Sequence, residues 1–211
     1  MRLEPLTQAH ATALVSAAGD GELWNSTVTV APSRDNVAEY IQAALDGQAL
    51  GRELPFVIFR KPLSESADSP ALSKAAVSTG DRTSSYKVVG TTRFYDISTL
   101  DRKAAIGYTW LGKSAQRTPV NTETKLLLLT HAFEHWRCVR VELITDVLNE
   151  QSRAAILRLG AKQEGILRKH LILPNGRVRD SVVFSIIDPE WPEVKEHLQA
   201  KLAQHEEQNL P

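Results

Sequence analysis

The stretch from Ala104 to Trp136 constrains the fold most, because a strand and a helix follow each other there across one polar turn. The segment AAIGYTWLG is rich in aromatic and β-branched residues and predicts a strand that ends at Trp110 and Leu111. The turn begins at Lys113. An apolar face at helical spacing follows, which predicts a helix that packs on a sheet: Leu126, Leu129, Phe133 and Trp136.

The remaining segments predict the order βααβββαβαββα. The helix SRDNVAEYIQAALDG is predicted to begin at a cap on Ser33 and to stop at Gly47. YKVVGTTRFYDIS and AAIGYTWLG flank the polar turn TLDRK and predict an antiparallel hairpin. A second hairpin, residues 162–188, is predicted to turn at Pro174-Asn175-Gly176. We therefore expect the α/β class, with a mixed α+β sheet and helices on its faces.

The length of 211 residues favours a single domain, residues 1–211, with one hydrophobic core. Residues 62–85 are rich in Ser, Ala, Asp and Thr and show no sustained hydrophobic period. We expect this segment to be a mobile surface insertion.

The charge balance and cysteine count exclude several classes of protein. Lys plus Arg and Asp plus Glu both total 25, so a partner bound mainly through phosphate-backbone electrostatics, such as nucleic acid, is not expected. Cys138 stands alone, which rules out an intrachain disulfide and a cysteine-based zinc site. The sequence has no signal-like start and no apolar run of about 20 residues, so we expect a cytoplasmic protein with no membrane partner.

Motifs for several other kinds of site are missing from the sequence. His131 and His135 have i, i+4 spacing but no third ligand motif, so we expect no metal. No serine lies in a G-x-S-x-G elbow, and neither a Walker loop nor a G-x-G-x-x-G loop occurs. A phosphate ligand would therefore be held in another way.

The start of the leucine-rich helix is the strongest candidate for an anion site. A helix beginning near Asn121 or Thr122 leaves about four backbone amides without an intrahelical acceptor, and its dipole favours negative charge there. Arg117, Lys113 and Lys125 are close in sequence, so a phosphate would fit. Alternatively, Asn121 or Thr122 caps the helix and the basic residues are solvated.

Three segments together resemble one known family: IGYTWL, QRTPVNTETKLLLLTHAFE and VLNEQSRAAILRLGAKQEGILR. They are similar to the fourth strand, the coenzyme A loop and helix, and the N-x-x-S segment of the GNAT N-acetyltransferases. Within that family the chain resembles the Rim-type branch, the ribosomal-protein N-terminal acetyltransferases, over nearly its whole length. The resemblance implies a GNAT fold, whose mostly antiparallel sheet is splayed between strands 4 and 5 and carries helices on both faces.

The resemblance also implies acetyl-CoA as co-substrate, with its pyrophosphate on the amides of the loop Gln116–Asn121 and the first helical turn. The family loop is Q/R-x-x-G-x-G/A, whereas Pro119 and Asn121 occupy the small positions here. Pro119 removes one amide donor, which bears on CoA affinity. The residues expected to contact the cofactor are Trp110, Leu111, Gln116, Arg117, Thr118, Val120, Asn121, Thr122, Asn149, Ser152 and Arg153.

Catalysis by resemblance is direct attack of an amine on the acetyl thioester between strands 4 and 5. Strand 4 lacks the glutamate common in the family, so Asp146 and Glu142, on one face of the fifth strand, are candidate bases. Alternatively, each is a solvated or salt-bridged carboxylate. The helix EQSRAAILRLG lacks a tyrosine, and Ser152 is the candidate proton donor to the thiolate. Alternatively, Asn149 and Ser152 only cap the helix.

The sequence therefore predicts an N-acetyltransferase that acts on a primary amine, either a protein N-terminal α-amine or a small-molecule amine. Tyr108 and Asp180 are candidates to contact that amine. One alternative is a non-catalytic acyl-CoA-binding or sensor domain, and another is an RNA-binding accessory factor. Whether the chain forms a homodimer is left open.

Overall fold

The computed structural model describes residues 1–61, 86–173 and 175–207. The predicted insertion 62–85 and Pro174 of the predicted turn lie outside the described residues. The order of strands and helices is the predicted one. Their bounds are β1 Arg2–Pro5, α1 Ala11–Gly19, α2 Val37–Ala49, β2 Leu54–Arg60, β3 Lys87–Ser98, β4 Lys103–Leu111, α3 Val120–Thr130, β5 Arg140–Asp146, α4 Glu150–Leu157, β6 Lys162–Ile172, β7 Val178–Ile187 and α5 Trp191–Glu207.

The strands form one mixed sheet in the order β1-β2-β3-β4-β5-β7-β6. Both predicted hairpins, β3–β4 and β6–β7, are antiparallel neighbours, as are β1–β2, β2–β3 and β5–β7. Among the described strands, β4 and β5 are the one pair that runs parallel. The structure confirms the predicted α/β class and the mostly antiparallel sheet.

Successive side chains of a strand point to opposite faces of the sheet, and helices pack on both faces. Val57 and Trp110 pack in the cluster that includes residues of α1 and α2, whereas their neighbours Ile58 and Leu111 pack against Val120 at the start of α3. On that second face, the remaining core joins β3, β4, β5 and β7 to residues of α3, α4 and α5. Helices α1 and α2 thus cover one face, and α3, α4 and α5 cover the other.

Helix α2 begins and ends later than predicted. Asn36 precedes its first residue, and the Asn36 side chain accepts a hydrogen bond from the Ser33 amide at 2.7 Å. The helix continues through Gly47, and the left-handed turn that follows it is at Gly51, with φ 69°. A Cβ on Gly47 would lie 2.6 Å from Cδ of Glu53, so this glycine makes room for a side chain instead of ending the helix.

The buried face of α3 also differs from the prediction. Leu129 and Phe133 are buried as expected, but Leu126 and Trp136 are only half-buried. A π-helical turn, His131–His135, follows the helix and shifts the residues beyond it out of the 3.6 period. The face that is buried in α3 and this turn consists of Thr124, Lys125, Leu128, Leu129, Ala132 and Phe133, together with Val120 at the start.

None of the helices in the described part of the chain is both long enough and apolar enough to cross a membrane.

Candidate active site

Strands β4 and β5 separate after a short contact. They pair in parallel at Lys103↔Arg140, Ala104↔Val141 and Ala105↔Glu142, and no further pair joins them. Beyond that point β4 continues to Leu111 while β5 pairs with β7 along its whole length. The two strands therefore leave a gap between residues 106–111 of β4 and 143–146 of β5, which is the predicted splay.

A β-bulge lies on the β4 side of the gap. Thr91 pairs with Trp110 and Arg93 with Gly107, so one residue of β3 faces two of β4, Tyr108 and Thr109. Tyr108 has φ 49°, which non-glycine residues rarely adopt. Bulges interrupt the ladder and often lie next to active sites. The sequence analysis missed this bulge, since an ordinary residue in the left-handed region leaves no clear sequence signal.

Aromatic rings and one buried cation surround the bulge on the α1/α2 face. Arg93 binds Glu53 at 2.6 Å and lies 4.0 Å from the Tyr108 ring centroid. The rings of Tyr95 and Tyr108 meet edge to face at 5.3 Å, and burial raises the pKa of both phenols. A Cβ on Gly107 would lie 2.7 Å from the Tyr95 ring, so only glycine leaves room for that ring. Tyr108 remains half-exposed at the surface.

Helix α3 begins at Val120, one or two residues before the predicted start, and neither Asn121 nor Thr122 caps it. Pro119 is already helical, with φ −59°, which a proline ring favours at a helix start. The Thr118 hydroxyl accepts from the Val120 amide at 3.4 Å and donates to the Ala115 carbonyl at 2.7 Å. Thr118 therefore takes over the weak capping role that the sequence assigned to later residues.

Several amides around the start of α3 have no acceptor among the described residues. The Gln116 amide binds the Lys113 carbonyl, and the Glu123 amide binds the Pro119 carbonyl. The hydrogen bonds of the described chain leave four amides in this stretch unpaired, those of Arg117, Thr118, Asn121 and Thr122. Arg117 has φ 58° and an exposed side chain. Such a set of donors at a helix N-terminus suits an anion.

Trp110 and Leu111, the cofactor candidates at the end of β4, use their side chains in contacts within the protein. Trp110 is buried, and its indole donates to the Tyr40 hydroxyl at 3.0 Å. The Leu111 side chain packs in the core, and its carbonyl accepts from the Gln116 side chain at 2.8 Å. Only the backbone of these two strand residues is left to face a ligand in the gap.

Helix α4 begins on the other side of the gap. The Asn149 side chain accepts from the Ser152 amide at 3.0 Å, which confirms the predicted cap. Gln151 donates to Gln116 at 3.2 Å, so the start of α4 contacts the loop before α3. The Arg153 guanidinium donates to the Val147 carbonyl at 3.3 Å. The Ser152 side chain is half-buried, and its hydroxyl makes no hydrogen bond within the described chain.

Both candidate bases are engaged in ion pairs. Glu142 accepts from Arg140 at 2.9 Å. Asp146 is 1% exposed and binds Arg177, and it also accepts from the Leu148 amide at 3.0 Å. Burial opposes ionisation of Asp146, but the hydrogen bonds from Arg177 and Leu148 outweigh it and hold the pKa of this carboxyl below its usual value. Asp146 is therefore a weak proton acceptor that joins β5 to the late hairpin.

In the β6–β7 hairpin, Asp180, which was predicted to contact the amine, makes a structural contact instead. The Asp180 carboxylate accepts from the Lys169 amide at 2.6 Å. That bond spans the irregular part of the β6–β7 pairing, between Leu167 and Leu171. Asp180 thus stabilises the hairpin, whereas Tyr108 faces solvent.

The structure also corrects the expected place of Lys125. Its side chain is 5% exposed and faces the sheet, so it does not lie in solvent beside the start of α3. Its Nζ donates to the Thr109 hydroxyl at 2.7 Å. The i, i+4 relation of Lys125 to Leu129 on the apolar face could have indicated this burial, because both residues then lie on one side of the helix.

The two histidines that follow α3 lie close together. The rings of His131 and His135 lie 5.3 Å apart. Within residues 1–61, 86–173 and 175–207, no three His, Cys, Asp or Glu side chains come together in a group that could hold a metal ion.

Comparison with known proteins gives a consistent set of similarities. Residues 1–162 match the family model described as Acetyltransferase (GNAT) domain. Over 102 residues the chain is 35% identical to "Putative ribosomal N-acetyltransferase YdaF" of Bacillus subtilis (strain 168), a match that covers 48% of this chain and 55% of YdaF. The chain thus spans little more than half the length of that relative.

Solved structures agree over most of the chain. The crystal structure of a putative acetyltransferase superposes with a TM-score of 0.74 at 32% identity, covering 95% of this chain and 93% of the other. The Mycobacterium smegmatis RimJ structure in complex with CoA-disulfide superposes with a TM-score of 0.68 at 21% identity, covering 94% and 88%. At that identity the second likeness shows the fold alone.

Proposed function

The chain belongs to the GNAT acetyltransferase family, and from this premise we propose that it transfers an acetyl group from acetyl-CoA to a primary amine. The observation that carries the proposal is the gap between β4 and β5 with unpaired amides at its wide end. The gap can admit an extended thioester, and the amides can bind a diphosphate. The amides follow the end of β4 at Leu111, away from the last β4–β5 pair at Ala105.

Binding of acetyl-CoA would use the backbone more than side chains. The amides of Arg117, Thr118, Asn121 and Thr122 are the donors available for the pyrophosphate. The exposed Arg117 side chain adds charge where Pro119 has removed a donor. Asn149 and Arg153, at the start of α4, are proposed to contact the pantetheine and a phosphate, respectively. The residues present therefore fit this co-substrate.

The acceptor is proposed to be the α-amine of a protein N-terminus. The name of YdaF as a putative ribosomal N-acetyltransferase supports this choice. A small-molecule amine is the other acceptor class that the same chemistry would serve. Tyr108, half-exposed beside the bulge, is proposed to contact the incoming amine.

The reaction is a direct attack of the neutral amine on the thioester carbon in a ternary complex. The C–N bond forms, the C–S bond breaks, and the thiolate of CoA leaves with a proton. The Ser152 hydroxyl is the proposed donor of that proton, since it makes no hydrogen bond within the described residues, and it regains a proton from solvent. The amine must in turn lose a proton, and both Glu142 and Asp146 already accept from arginines.

An acetyl-CoA thiol-release assay tests this function. We expect free thiol to appear with peptides that carry a free N-terminus, and mass spectrometry to find the acetyl group on the α-amine. Peptides with a blocked N-terminus are the control. Release of thiol only with small amines, such as polyamines or aminoglycosides, would contradict the protein N-terminus as acceptor. It would still support acetyl transfer to a primary amine.

The residues of the loop before α3, of β4 and of α4 also support a second candidate function, a non-catalytic acyl-CoA sensor. Pro119 lowers the number of amide donors, residues 106–111 of β4 contain no carboxylate, and α4 contains no tyrosine. The two candidates differ in turnover. Acetyl-CoA binding in calorimetry with no thiol release for any acceptor would support the sensor and contradict the transferase.

Ser152→Ala tests the proposed proton donor. We expect a lower kcat with nearly unchanged acetyl-CoA affinity, because the cap of α4 uses the Ser152 amide and not its hydroxyl. Ser152→Thr keeps a hydroxyl and serves as the matched control. A full-rate alanine variant would remove Ser152 from the mechanism.

A further inference from the structure

Lys125 is a buried lysine with no counter-ion among the described residues. It lies in the second turn of α3, is 5% exposed, and makes one hydrogen bond, to the Thr109 hydroxyl at 2.7 Å. Among the ion pairs of the described residues, none involves Lys125. Burying a charge without a partner is costly, so a residue that only filled space at this position would be apolar.

The charged groups on the elements around Lys125 are paired with one another. On its own helix, Glu123 accepts from the Met1 amine of the neighbouring N-terminus at 2.9 Å. Glu134, beyond α3, binds Lys195 of α5 at 2.7 Å. Strand β3 presents the uncharged Thr92, since Arg93 lies on the opposite face with Glu53. Within the described residues, the Thr109 hydroxyl is thus the one polar group that Lys125 binds.

This environment favours the neutral amine. Burial lowers the pKa of Lys125 from 10.5 to about 7. At neutral pH a large fraction of the side chain is therefore uncharged, and its nitrogen lone pair can accept a proton. A solvated lysine would be almost fully protonated at that pH.

The hydrogen-bond partner of Lys125 lies in the part of β4 that borders the gap. Thr109 lies in the β4 bulge, four residues beyond Ala105, where β4 last pairs with β5. Its hydroxyl also lies 2.8 Å from the Thr92 hydroxyl and 3.3 Å from the Gly107 carbonyl. A protonated Lys125 donates to the Thr109 hydroxyl. A neutral Lys125 can instead accept the Thr109 proton across the same 2.7 Å contact, while the Thr109 oxygen takes up another proton.

We propose that Lys125, acting through the Thr109 hydroxyl, accepts the proton that an amine releases when it is acetylated in the gap between β4 and β5. The proposal rests on the proposed function. As the C–N bond forms, the amine proton passes to Thr109 Oγ1 and the Thr109 proton passes to Lys125 Nζ. Lys125 becomes an ammonium and returns its proton to solvent after product release. It is a positioning residue, since Thr109 stands between it and the acceptor.

The pH dependence of kcat tests the relay. We expect wild-type kcat to fall as the pH drops below about 7, because Lys125 is then protonated and can accept nothing. Lys125→Met keeps the side-chain volume, should lower kcat roughly 100-fold, and should remove that inflection while acetyl-CoA affinity stays the same. Thr109→Val should have the same two effects. Lys201→Met, on α5, is the control for loss of a lysine.

Two results would overturn the relay alone. One is a folded Lys125→Met variant that keeps the wild-type kcat and pH inflection. The other is an NMR titration of the labelled Lys125 side chain that gives an ordinary lysine midpoint. If the wild-type protein releases no thiol with any acceptor, the proposed function fails as well, and the wild-type assay thus separates the two failures.

Discussion

The two helices that begin beside the gap start in opposite ways. Helix α4 satisfies its own first turn, since the Asn149 side chain accepts from the Ser152 amide. Helix α3 begins on a proline, and the Asn121 and Thr122 amides in its first turn have no acceptor among the described residues. Folding stability alone would favour a cap at both. The difference supports the proposed binding of acetyl-CoA at the α3 start, whereas the α4 start is capped by its own side chain.

The largest expected effect concerns the other unusual feature of α3, its buried lysine. Lys125→Met should raise the free energy of unfolding by on the order of a few kcal/mol at pH 6 and by much less at pH 10. Below pH 7 wild-type Lys125 is charged in both states and bears the full cost of burial. Between about pH 7 and 10.5 the folded state holds it neutral, so this cost falls as the pH rises.

Denaturant unfolding of wild type and variant at both pH values checks this expectation. Only the difference between the two proteins is compared, because other groups titrate in the same range. An equal gain at pH 6 and pH 10 would contradict a lowered pKa of Lys125.

A second change makes α3 resemble α4. Thr118→Asp should cap the first turn of α3, stabilise the protein by about 0.5–1 kcal/mol, and weaken acetyl-CoA binding by tenfold or more, because the carboxylate takes amides and repels phosphate. Thr118→Asn offers a cap without charge and should weaken binding less. Calorimetry with acetyl-CoA measures both variants. Unchanged affinity in both would refute the open start as the binding site.

The reverse change makes α4 resemble α3. Asn149→Ala removes the acceptor of the Ser152 amide and should cost about 1 kcal/mol of stability. Asn149→Asp retains an acceptor there and should restore most of that stability. Thermal unfolding of the two variants gives the comparison, and an alanine variant as stable as wild type would show that the cap contributes little.

The smallest expected effect belongs to Arg117. Because this side chain is exposed, Arg117→Ala should weaken acetyl-CoA binding only several-fold, more at low salt than at high salt, and leave stability unchanged. Arg34→Ala, on a loop before α2, is the control for loss of one surface arginine. Salt-independent loss of affinity would argue against a direct charge contact by Arg117.

Local patterns were enough to predict most of the fold. The β3–β4 hairpin follows from two β-branched runs around a polar turn, and the Asn149 cap follows from residues three apart in sequence. Gly47 led to the wrong end for α2. This glycine leaves space for the Glu53 side chain, which comes from the turn after the helix. The π-helical turn after α3 likewise follows from packing and leaves no periodic signal.

The candidate site was less predictable, because it depends on contacts between distant residues. The ion pair of Asp146 with Arg177 joins β5 to the turn between β6 and β7, and nothing near Asp146 in sequence indicates it. The Tyr108 bulge is a mismatch between β3 and β4 that neither strand reveals alone. Lys125 seemed a surface cation until its partner, Thr109, was known.

The brevity of the contact between β4 and β5 has a mechanical consequence. Three residue pairs hold these strands together, and the last of them joins Ala105 to Glu142. The segments beyond that pair can move apart about it as about a hinge. Moving these segments apart breaks no backbone hydrogen bond between β4 and β5, since none joins them there. Pairing with β3 supports β4, and pairing with β7 supports β5. The proposed binding of acetyl-CoA in the gap would therefore leave the pairing of the sheet intact.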